Sequence, residues 1–259
     1  MSDRGFEILL EDDACLAVVK PSGIATQAPP GIDSLEVRIK AYLSKNSALV
    51  ILPRPLGEGQ DEGQAPDLSH PNPLPEIYLG IPHRLDRPVS GAMIFAKTRR
   101  AARQFSKQFE RRRVKKLYWA ALERIVEPLE GTWTDYLWKV HGQPRALLVE
   151  HSHPAGQQAI LHYRTLGFHR CGSWLEIELE TGRTHQVRVQ SSSRGYPILG
   201  DAHYGSRIPF GQQHEDERLR AIALHARSLT VFHPTTREVI KLDAPVGGAW
   251  SELELKARG

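Results

Sequence analysis

The chain contains very few cysteines: Cys15 and Cys171 are the only two among 259 residues. Two cysteines cannot build a disulfide framework, and they have neither the number nor the spacing of a zinc site. Free thiols are typical of a reducing compartment, so the sequence predicts a cytoplasmic protein.

Long apolar runs are also missing. The longest uninterrupted runs have a handful of residues, as at residues 14–19, whereas a membrane-spanning helix needs about 20. The first 13 residues are rich in acids and lack the basic start and apolar stretch of a secretory signal. No internal repeat with a fixed period is present. We therefore expect neither a membrane protein nor a repeat architecture.

Acidic residues are nearly absent from one stretch of the chain. The net charge is +4, from 34 basic and 30 acidic residues. Residues 97–116 hold ten basic residues and one acidic residue, a net charge of +9, so the rest of the chain carries −5. Such a concentration is typical of a surface that contacts a phosphate backbone. A solvated helix face explains it equally well at this point.

Composition predicts a folded protein with one irregular segment. The chain is 40% hydrophobic and 25% charged, which is ordinary for a globular protein. Residues 51–77 differ, because they are rich in proline, glycine and acids and have almost no apolar periodicity. We expect a single domain over residues 1–259, with residues 51–77 as a flexible insertion within it.

Apolar patterns predict more strands than helices. Helices are expected at residues 35–42 and 99–110, the second with Thr98 as its N-cap. Strands are expected at residues 15–20, 92–96, 116–122, 146–150, 159–166, 174–179, 226–232 and 239–242, with a hairpin break at 167–173. Helices do not alternate with strands, so the fold class is α+β with a largely antiparallel sheet.

Two segments concentrate the residues that carry chemistry. In HRLDRPVSG, at residues 83–91, Asp86 lies between Arg84 and Arg87, and nearby cations keep a carboxylate ionised. Such a carboxylate is a nucleophile or an electrostatic stabiliser, although a structural ion pair explains this segment better when it is taken alone.

The second segment is LETGRTHQVRV, at residues 179–189. Gly182 lets the chain turn out of a strand. Thr184 is expected to cap the helix that follows, and Arg183 is expected to project from the turn toward a cleft.

These two segments resemble the signature motifs of the RluA-type pseudouridine synthases. Four more segments are similar to that family's other motifs, in the family's order: residues 11–24, 116–120, 195–205 and 224–234. The opening motif begins within the first dozen residues, so we expect the family's optional N-terminal S4 domain to be absent.

The resemblance implies a pseudouridine-synthase domain with a central active-site cleft. The implied activity is isomerisation of uridine to pseudouridine in ribosomal or transfer RNA. It also implies that the partner is RNA and that neither a metal nor a nucleotide or other cofactor is required. We expect a monomer.

The resemblance also assigns roles to single residues. Asp86 is the catalytic aspartate, Arg183 pairs with it, and Tyr118 lines the uracil pocket. Arg84 fills the space that the target base leaves when it flips out of its stack. The other residues expected to contact substrate are His83, Arg87 and three cations spaced four residues apart on the predicted helix: Arg99, Arg103 and Lys107, here called the cationic stripe.

Several other residues are assigned structural roles. Lys20 is expected to be a solvated lysine at a strand end, and His185 and His225 are expected to be structural hydrogen-bonding residues. The remaining histidines lack cysteine or carboxylate partners at metal-ligand spacing. The family commonly has threonine at the position of Val89 and histidine at that of Gln190, so these two departures bear on substrate identity.

Two other functions compete with the isomerase. One is an RNA-binding protein that has lost its catalytic site and acts in RNA folding or assembly. The other is a glycosidase-like hydrolase, which would need two carboxylates across the scissile bond, whereas the motif supplies only Asp86. The joint presence of Asp86, Tyr118 and Arg183 favours the isomerase.

Overall fold

A single mixed sheet forms the centre of the computed structural model, which describes residues 4–48 and 77–258. Nine strands follow one another across the sheet in the order β1-β2-β3-β9-β4-β8-β7-β5-β6, while β10 pairs with β9 and β11 pairs with β7. The insertion expected at residues 51–77 lies outside the described residues except for Ile77.

The strands have the following bounds: β1 (Glu7–Glu11), β2 (Cys15–Lys20), β3 (Ser90–Ala96), β4 (Lys115–Glu123), β5 (Glu130–Lys139), β6 (Ala146–Val149), β7 (Gln157–His169), β8 (Gly172–Leu179), β9 (Leu224–Phe232), β10 (Val239–Asp243) and β11 (Lys256–Ala257). Among these strands only β3 and β9 pair in parallel. The α+β class with a largely antiparallel sheet is therefore confirmed.

Three α-helices accompany the sheet within the described residues: α1 (Leu35–Ala48), α2 (Arg99–Glu110) and α3 (Gln186–Ser192). Short 3₁₀ helices occur at Ala202–Tyr204, Glu217–Leu219 and Gly248–Leu253. In the part of the chain that the structure covers, no helix has the length and apolar character needed to cross a membrane.

Strand β2 is apolar on both faces because a helix packs on each side of it. On one face, Leu16 and Val18 of β2 join Leu35 and Ile39 of α1 in one apolar cluster. On the other face, Cys15 and Ala17 share a second cluster with residues of α2, among them Phe105. This double burial explains the continuous apolar run at the start of the chain.

Every predicted strand and every predicted helix has a counterpart, although some bounds differ. Thr98 caps α2 as expected, because its side chain accepts a hydrogen bond from Ala101 N. The first helix extends to Ala48, beyond the predicted end at residue 42. The hairpin predicted between β7 and β8 is confirmed by their antiparallel pairing. Its break is shorter than the predicted residues 167–173, because β7 continues to His169 and β8 begins at Gly172.

A close crossing of backbones brings the first motif to the centre of the sheet. Gly91 has φ +123° and a Cβ there would collide with the backbone of Ala226 on β9. Only glycine allows this approach without strain. The loop of residues 81–89, here called the Asp86 loop, therefore enters the sheet beside β9, next to the strand that carries Tyr118.

Candidate active site

A buried lysine at the end of β2 holds the Asp86 loop in place. Lys20 is fully buried, and its Nζ donates to three carbonyl oxygens: Pro21 at 2.8 Å, Arg87 at 3.1 Å and Val89 at 2.7 Å. The expectation of a solvated strand-end lysine is wrong. Its Nζ joins the turn after β2, through Pro21, to the C-terminal part of the loop, through Arg87 and Val89, and thus fixes the loop to the end of β2.

Replacing Lys20 with methionine should lower the free energy of unfolding by about 3 kcal/mol, because buried carbonyls would lose their donor.

Burial lowers the pKa of Lys20 to about 7. The unfolded chain then binds more protons than the folded one from about pH 7 to the usual lysine range, so the contribution of Lys20 to stability rises with pH there. The free energy of unfolding of the wild type and of the variant is measured by urea titration at pH 7 and at pH 9. The difference between the two proteins should be larger at pH 9. A constant difference would contradict the burial of a titrating amine.

Asp86 lies at the wall of a cleft of about 1310 Å³ with its side chain 29% exposed. Its Oδ2 is 3.1 Å from Nη1 of Arg188 and 3.7 Å from Nε2 of His185. Within the described residues Oδ1 has no hydrogen-bond donor. One oxygen of the carboxylate is therefore fixed by the protein, and the other is left open.

Arg188, on α3, supplies the cation for two carboxylates at once. Its Nε and Nη2 donate to Asp201 Oδ2 and Oδ1 at 2.7 and 2.9 Å, while Nη1 reaches Asp86. Burial disfavours the cation, but the hydrogen bonds and charge of Asp201, aided by Asp86, outweigh burial and raise the pKa of Arg188. The guanidinium is therefore permanently charged, and it is held rigidly against Asp86.

The predicted pairing of Arg183 with Asp86 is wrong. Arg183 lies in the turn before α3, lines the cleft, and donates Nε to the carbonyl oxygen of Gln158 at 2.9 Å. The physical reason is the buried anion Asp201, which draws Arg188 inward and places its third nitrogen at Asp86. Arg183 stays at the more exposed rim, where its expected role in catalysis remains a prediction.

The start of α3 also differs from expectation. Thr184 does not cap the helix; His185 is the N-cap residue, in the left-handed region with φ 54° and no capping bond from its side chain. The turn is closed instead by Gln186, whose Oε1 accepts from Arg183 N at 3.0 Å and from the Thr181 hydroxyl at 2.8 Å. This turn directs the His185 ring toward Asp86.

Tyr118 lies on β4 and lines the cleft, as expected of a residue near the reacting base. Burial and the negative charge of Asp86 raise the pKa of its phenol. The hydroxyl is therefore neutral throughout the physiological range and presents a flat, weakly polar ring. Its predicted contact with uracil remains a prediction.

His83 uses its polar ring atom within the protein. Its Nε2 accepts a hydrogen bond from Ile94 N at 3.1 Å, and the ring stacks on Phe109 of α2 with centroids 4.7 Å apart. Burial, with the nearby charge of Lys116, lowers the pKa of His83 to about 3, so the imidazole is neutral. These contacts favour a role in joining the Asp86 loop to β3 and α2 over the predicted substrate contact.

The other two arginines of the motif remain available. Arg84 is exposed at the cleft and forms no ion pair or hydrogen bond with any residue in the ranges 4–48 and 77–258. Arg87 also lines the cleft. Their position is compatible with the predicted contacts to substrate, which stay predictions.

The cationic stripe is exposed along α2. Its three residues border a shallow hollow of about 430 Å³ together with Tyr78, whose ring stacks under the Arg99 guanidinium at 5.3 Å. Glu110 at the end of α2 lines both this hollow and the cleft. The stripe is thus adjacent to the cleft.

The two departures from the family pattern lie in different places. Gln190 is a buried residue of α3 whose Nε2 donates to Asp135 Oδ2 at 2.6 Å, and it does not line the cleft. The change at Gln190 therefore concerns the packing of α3 on β5. Val89 is buried at the edge of the cleft.

One group of residues within the described ranges has the composition of a metal site: Asp12, Cys15 and His233. His233 Nδ1 accepts from Thr236 N at 3.0 Å, so its Nε2 carries the proton that faces Asp12 Oδ2 at 3.0 Å. Burial raises the pKa of the Cys15 thiol to about 12. The His233 ring and the Cys15 thiol therefore keep their protons, and the group connects the β1–β2 turn to the β9–β10 turn.

Comparison with known proteins gives consistent matches. A sequence model of the family described as RNA pseudouridylate synthase matches residues 14–193. The ribosomal large subunit pseudouridine synthase D of Haemophilus influenzae is 35% identical over 220 residues, which cover 82% of this chain and 66% of that protein. An uncharacterized RNA pseudouridine synthase of Zymomonas mobilis is 31% identical, over 85% of this chain and 99% of that protein.

The fold is also similar to that of a solved structure. The human protein called RNA pseudouridylate synthase domain containing 4 superposes with a TM-score of 0.70 over 98% of this chain and 95% of that chain, at 20% sequence identity. At this identity the likeness shows the fold alone. Against the Haemophilus relative, the chain spans about two thirds of the length.

Proposed function

Because the chain belongs to the RNA pseudouridylate synthase family, and is thus an RNA pseudouridine synthase, we propose that it isomerises specific uridines in structured ribosomal or transfer RNA through Asp86. The observation that carries this proposal is the Asp86 carboxylate at the cleft wall, with Oδ2 bound by Arg188 and Oδ1 open. Because some relatives are named for the ribosomal large subunit, the RNA of that subunit is the first substrate to test.

The bond changes of the reaction suit a single ionised carboxylate. Uridine must lose its C1′–N1 bond and gain a C1′–C5 bond, the C5 proton must leave, and N1 must gain a proton. Nothing is oxidised or hydrolysed overall, so the balance calls for no redox partner. An anionic oxygen can attack or stabilise an electron-poor C1′, as carboxylates do in glycosidases.

The target uridine has to leave its helical stack to reach Asp86. An enzyme that acts on a base inside a stacked helix extrudes the nucleotide into its pocket, at a cost of a few kcal/mol. Arg84 has no protein partner among the described residues and lies at the cleft, so we assign it the space that the flipped base vacates. Tyr118 would then contact the uracil ring.

Mapping of pseudouridine tests the function directly. The purified protein is incubated with unmodified large-subunit ribosomal RNA and with transfer RNA, and carbodiimide adducts are located by primer extension. We expect new stops at discrete uridines with the wild-type chain and none with Asp86→Asn. Release of free uracil would indicate a hydrolase instead, and tight RNA binding without stops would indicate an RNA-binding protein with a lapsed site.

The cationic stripe is proposed to bind the RNA backbone. Replacing Arg99, Arg103 and Lys107 with glutamine should weaken binding to all RNAs alike and leave turnover at saturating RNA nearly unchanged, because such contacts act equally on ground and transition states. Each phosphate contact to a single strand contributes about −0.7 to the slope of log K against log salt. Loss of three contacts should thus flatten the slope by about 2 units, measured by filter binding across a salt series.

A charge-matched control distinguishes this surface from a general charge effect. Arg164, Lys241 and Arg258 are exposed and line neither the cleft nor the hollow beside α2. Their triple replacement with glutamine removes the same charge and should change the salt slope little. Equal slopes for both triple variants would show that the stripe is only a solvated helix face.

A further inference from the structure

Lys116 is a cation of the cleft that has no role in the bond changes at C1′. It lies on β4 two residues before Tyr118, and successive side chains of a strand point to opposite faces. Lys116 and Tyr118 therefore share one face of β4, and both line the cleft. The neighbouring Lys115 points to the other face, where its Nζ pairs with Glu178 Oε2 at 3.0 Å, and it does not line the cleft.

No group in the ranges 4–48 and 77–258 neutralises the Lys116 ammonium, because its Nζ has neither a hydrogen-bond acceptor nor a carboxylate partner there. The two nearby charges that act on it, those of Arg112 and Arg183, are both positive. Burial, followed by these two charges, lowers the pKa of Lys116. An anion that enters the cleft beside Lys116 would therefore stabilise its charged form.

The two arginines differ from Lys116 because each already has an acceptor in the protein. Arg112 donates Nη1 to Glu180 Oε1 at 3.3 Å, and Arg183 donates Nε to the Gln158 carbonyl oxygen. An ammonium has three N–H donors. All three of those on Lys116 are free within the part of the chain that the structure describes, so Lys116 is the better candidate for a direct contact with an anion.

The space in front of the Lys116 ammonium is open because residue 182 is a glycine. A Cβ at Gly182 would lie 3.5 Å from Lys116 Nζ, and among the described residues beyond its chain neighbours no other atom lies within 4 Å of that position. The φ of Gly182 is outside the left-handed region, so the backbone conformation does not itself require glycine. Gly182 also lines the cleft, and its lack of a side chain leaves the ammonium accessible.

The place of Lys116 on β4 indicates which anion it would meet. Two residues along a strand span about 7 Å, so Lys116 is close to Tyr118, the residue proposed to contact uracil. The anionic groups of RNA are its phosphates. The two phosphates that flank a flipped uridine are joined to its ribose by a few covalent bonds, so they enter the cleft together with the base.

We propose that Lys116 binds one of the two phosphates that flank the flipped uridine. This inference rests on the proposed function, which places the uridine in this cleft. The charges of Arg112 and Arg183 add to the positive potential at the same place. The cationic stripe would bind the RNA backbone along α2, whereas Lys116 binds one particular phosphate and thus holds the reacting nucleotide at a fixed position in the cleft.

The first experiment compares Lys116→Gln with the wild type on a short RNA that contains the uridine identified by mapping. We expect the RNA affinity to fall about tenfold, since hydrogen bonds to charged groups have effects of this size. The slope of log K against log salt should flatten by about 0.7. The single-turnover rate at saturating RNA should stay within about threefold, because the contact acts equally on ground and transition states. Lys116→Arg keeps a charged donor and should retain most of the affinity.

Neutral linkages in the RNA identify the phosphate that Lys116 contacts. A methylphosphonate carries no negative charge, so the two linkages that flank the uridine are replaced one at a time. In the wild type, one of the two replacements should lower the affinity about tenfold. The same replacement should cost Lys116→Gln less than about threefold, because the partner of that phosphate is already gone.

Lys115→Gln is the matched control, because it removes the same charge from the opposite face of β4. It should keep the wild-type salt slope and the wild-type response to methylphosphonates. Without RNA, Lys116→Gln should melt at or above the wild-type temperature, since burial and two like charges disfavour the cation it removes.

Two results would overturn the inference. A lower melting temperature of Lys116→Gln would show that the ammonium has a stabilising partner within the protein. Equal losses of affinity for the wild type and Lys116→Gln at each methylphosphonate would show that Lys116 binds neither phosphate. Either result with an active wild type removes this inference alone, whereas a wild type that forms no pseudouridine in the mapping experiment removes the proposed function as well.

Discussion

Asp86→Asn is expected to form no pseudouridine above background, a loss of at least about a thousandfold in single-turnover rate, or roughly 4 kcal/mol of barrier. Asparagine keeps the shape of the side chain but carries no negative charge, so it can neither attack C1′ nor stabilise positive charge there. The rate is measured with a tritium-release or carbodiimide assay on the RNA that the mapping experiment identifies.

The same variant should remain folded. Arg188 keeps its two bonds to Asp201 when Asp86 is neutralised, so no buried charge loses its main partner. We expect a melting temperature within a few degrees of wild type and unchanged RNA affinity. Asp13→Asn, the same chemical change at an exposed position of the β1–β2 turn, is the matched control. Activity of Asp86→Asn within about tenfold of wild type would refute its role at C1′.

Local sequence patterns predicted the elements whose burial follows a simple rule. The apolar run of β2 is buried on both faces, and α2 presents apolar and cationic faces at helical spacing, so both were found with nearly correct ends. β1, β5 and the two-residue β11 were missed. In β5 the alternation of Trp133 and Leu137 with outward threonines was present in the sequence, and it is the signal that could have revealed the strand.

The motif residues were found because they lie together in the sequence. The ion pairs that they form were not predicted. Arg188 belongs to a seven-residue helix in which residues 186–191 are all buried, so no polar face distinguishes it. Its main partner, Asp201, lies 13 residues later and is brought back by the turn that contains Tyr204. Ion pairs of this kind depend on tertiary contacts, which a spacing pattern cannot show.

Lys20 illustrates the same limit in a single residue. A lysine at the end of a strand and beside a Pro-Ser-Gly turn is usually solvated. Here the carbonyls of Arg87 and Val89, almost 70 residues away in the sequence, surround its ammonium. Burial of a charge becomes acceptable where enough acceptors converge on it, and that convergence is a property of the fold.

Arg188→Lys is the second substitution from which we expect a large effect. A lysine ammonium is a single point charge and cannot reproduce the planar fork that binds Asp201 through two nitrogens and Asp86 through a third. One carboxylate is then left without its partner. We expect the single-turnover rate to fall about a hundredfold or more.

Arg183→Lys is the matched control, because it makes the same change five residues away, at the cleft rim. Among residues 4–48 and 77–258 its guanidinium bonds to one group, the carbonyl oxygen of Gln158. An ammonium can replace that bond, so the rate should stay within about threefold of wild type. Asp201 is buried, and a partner lost there destabilises the fold by about 3–5 kcal/mol, so thermal melts must accompany the rates of Arg188→Lys. A larger loss of rate in Arg183→Lys than in Arg188→Lys, at equal melting temperature, would assign the essential cation to Arg183 and contradict the geometry of α3.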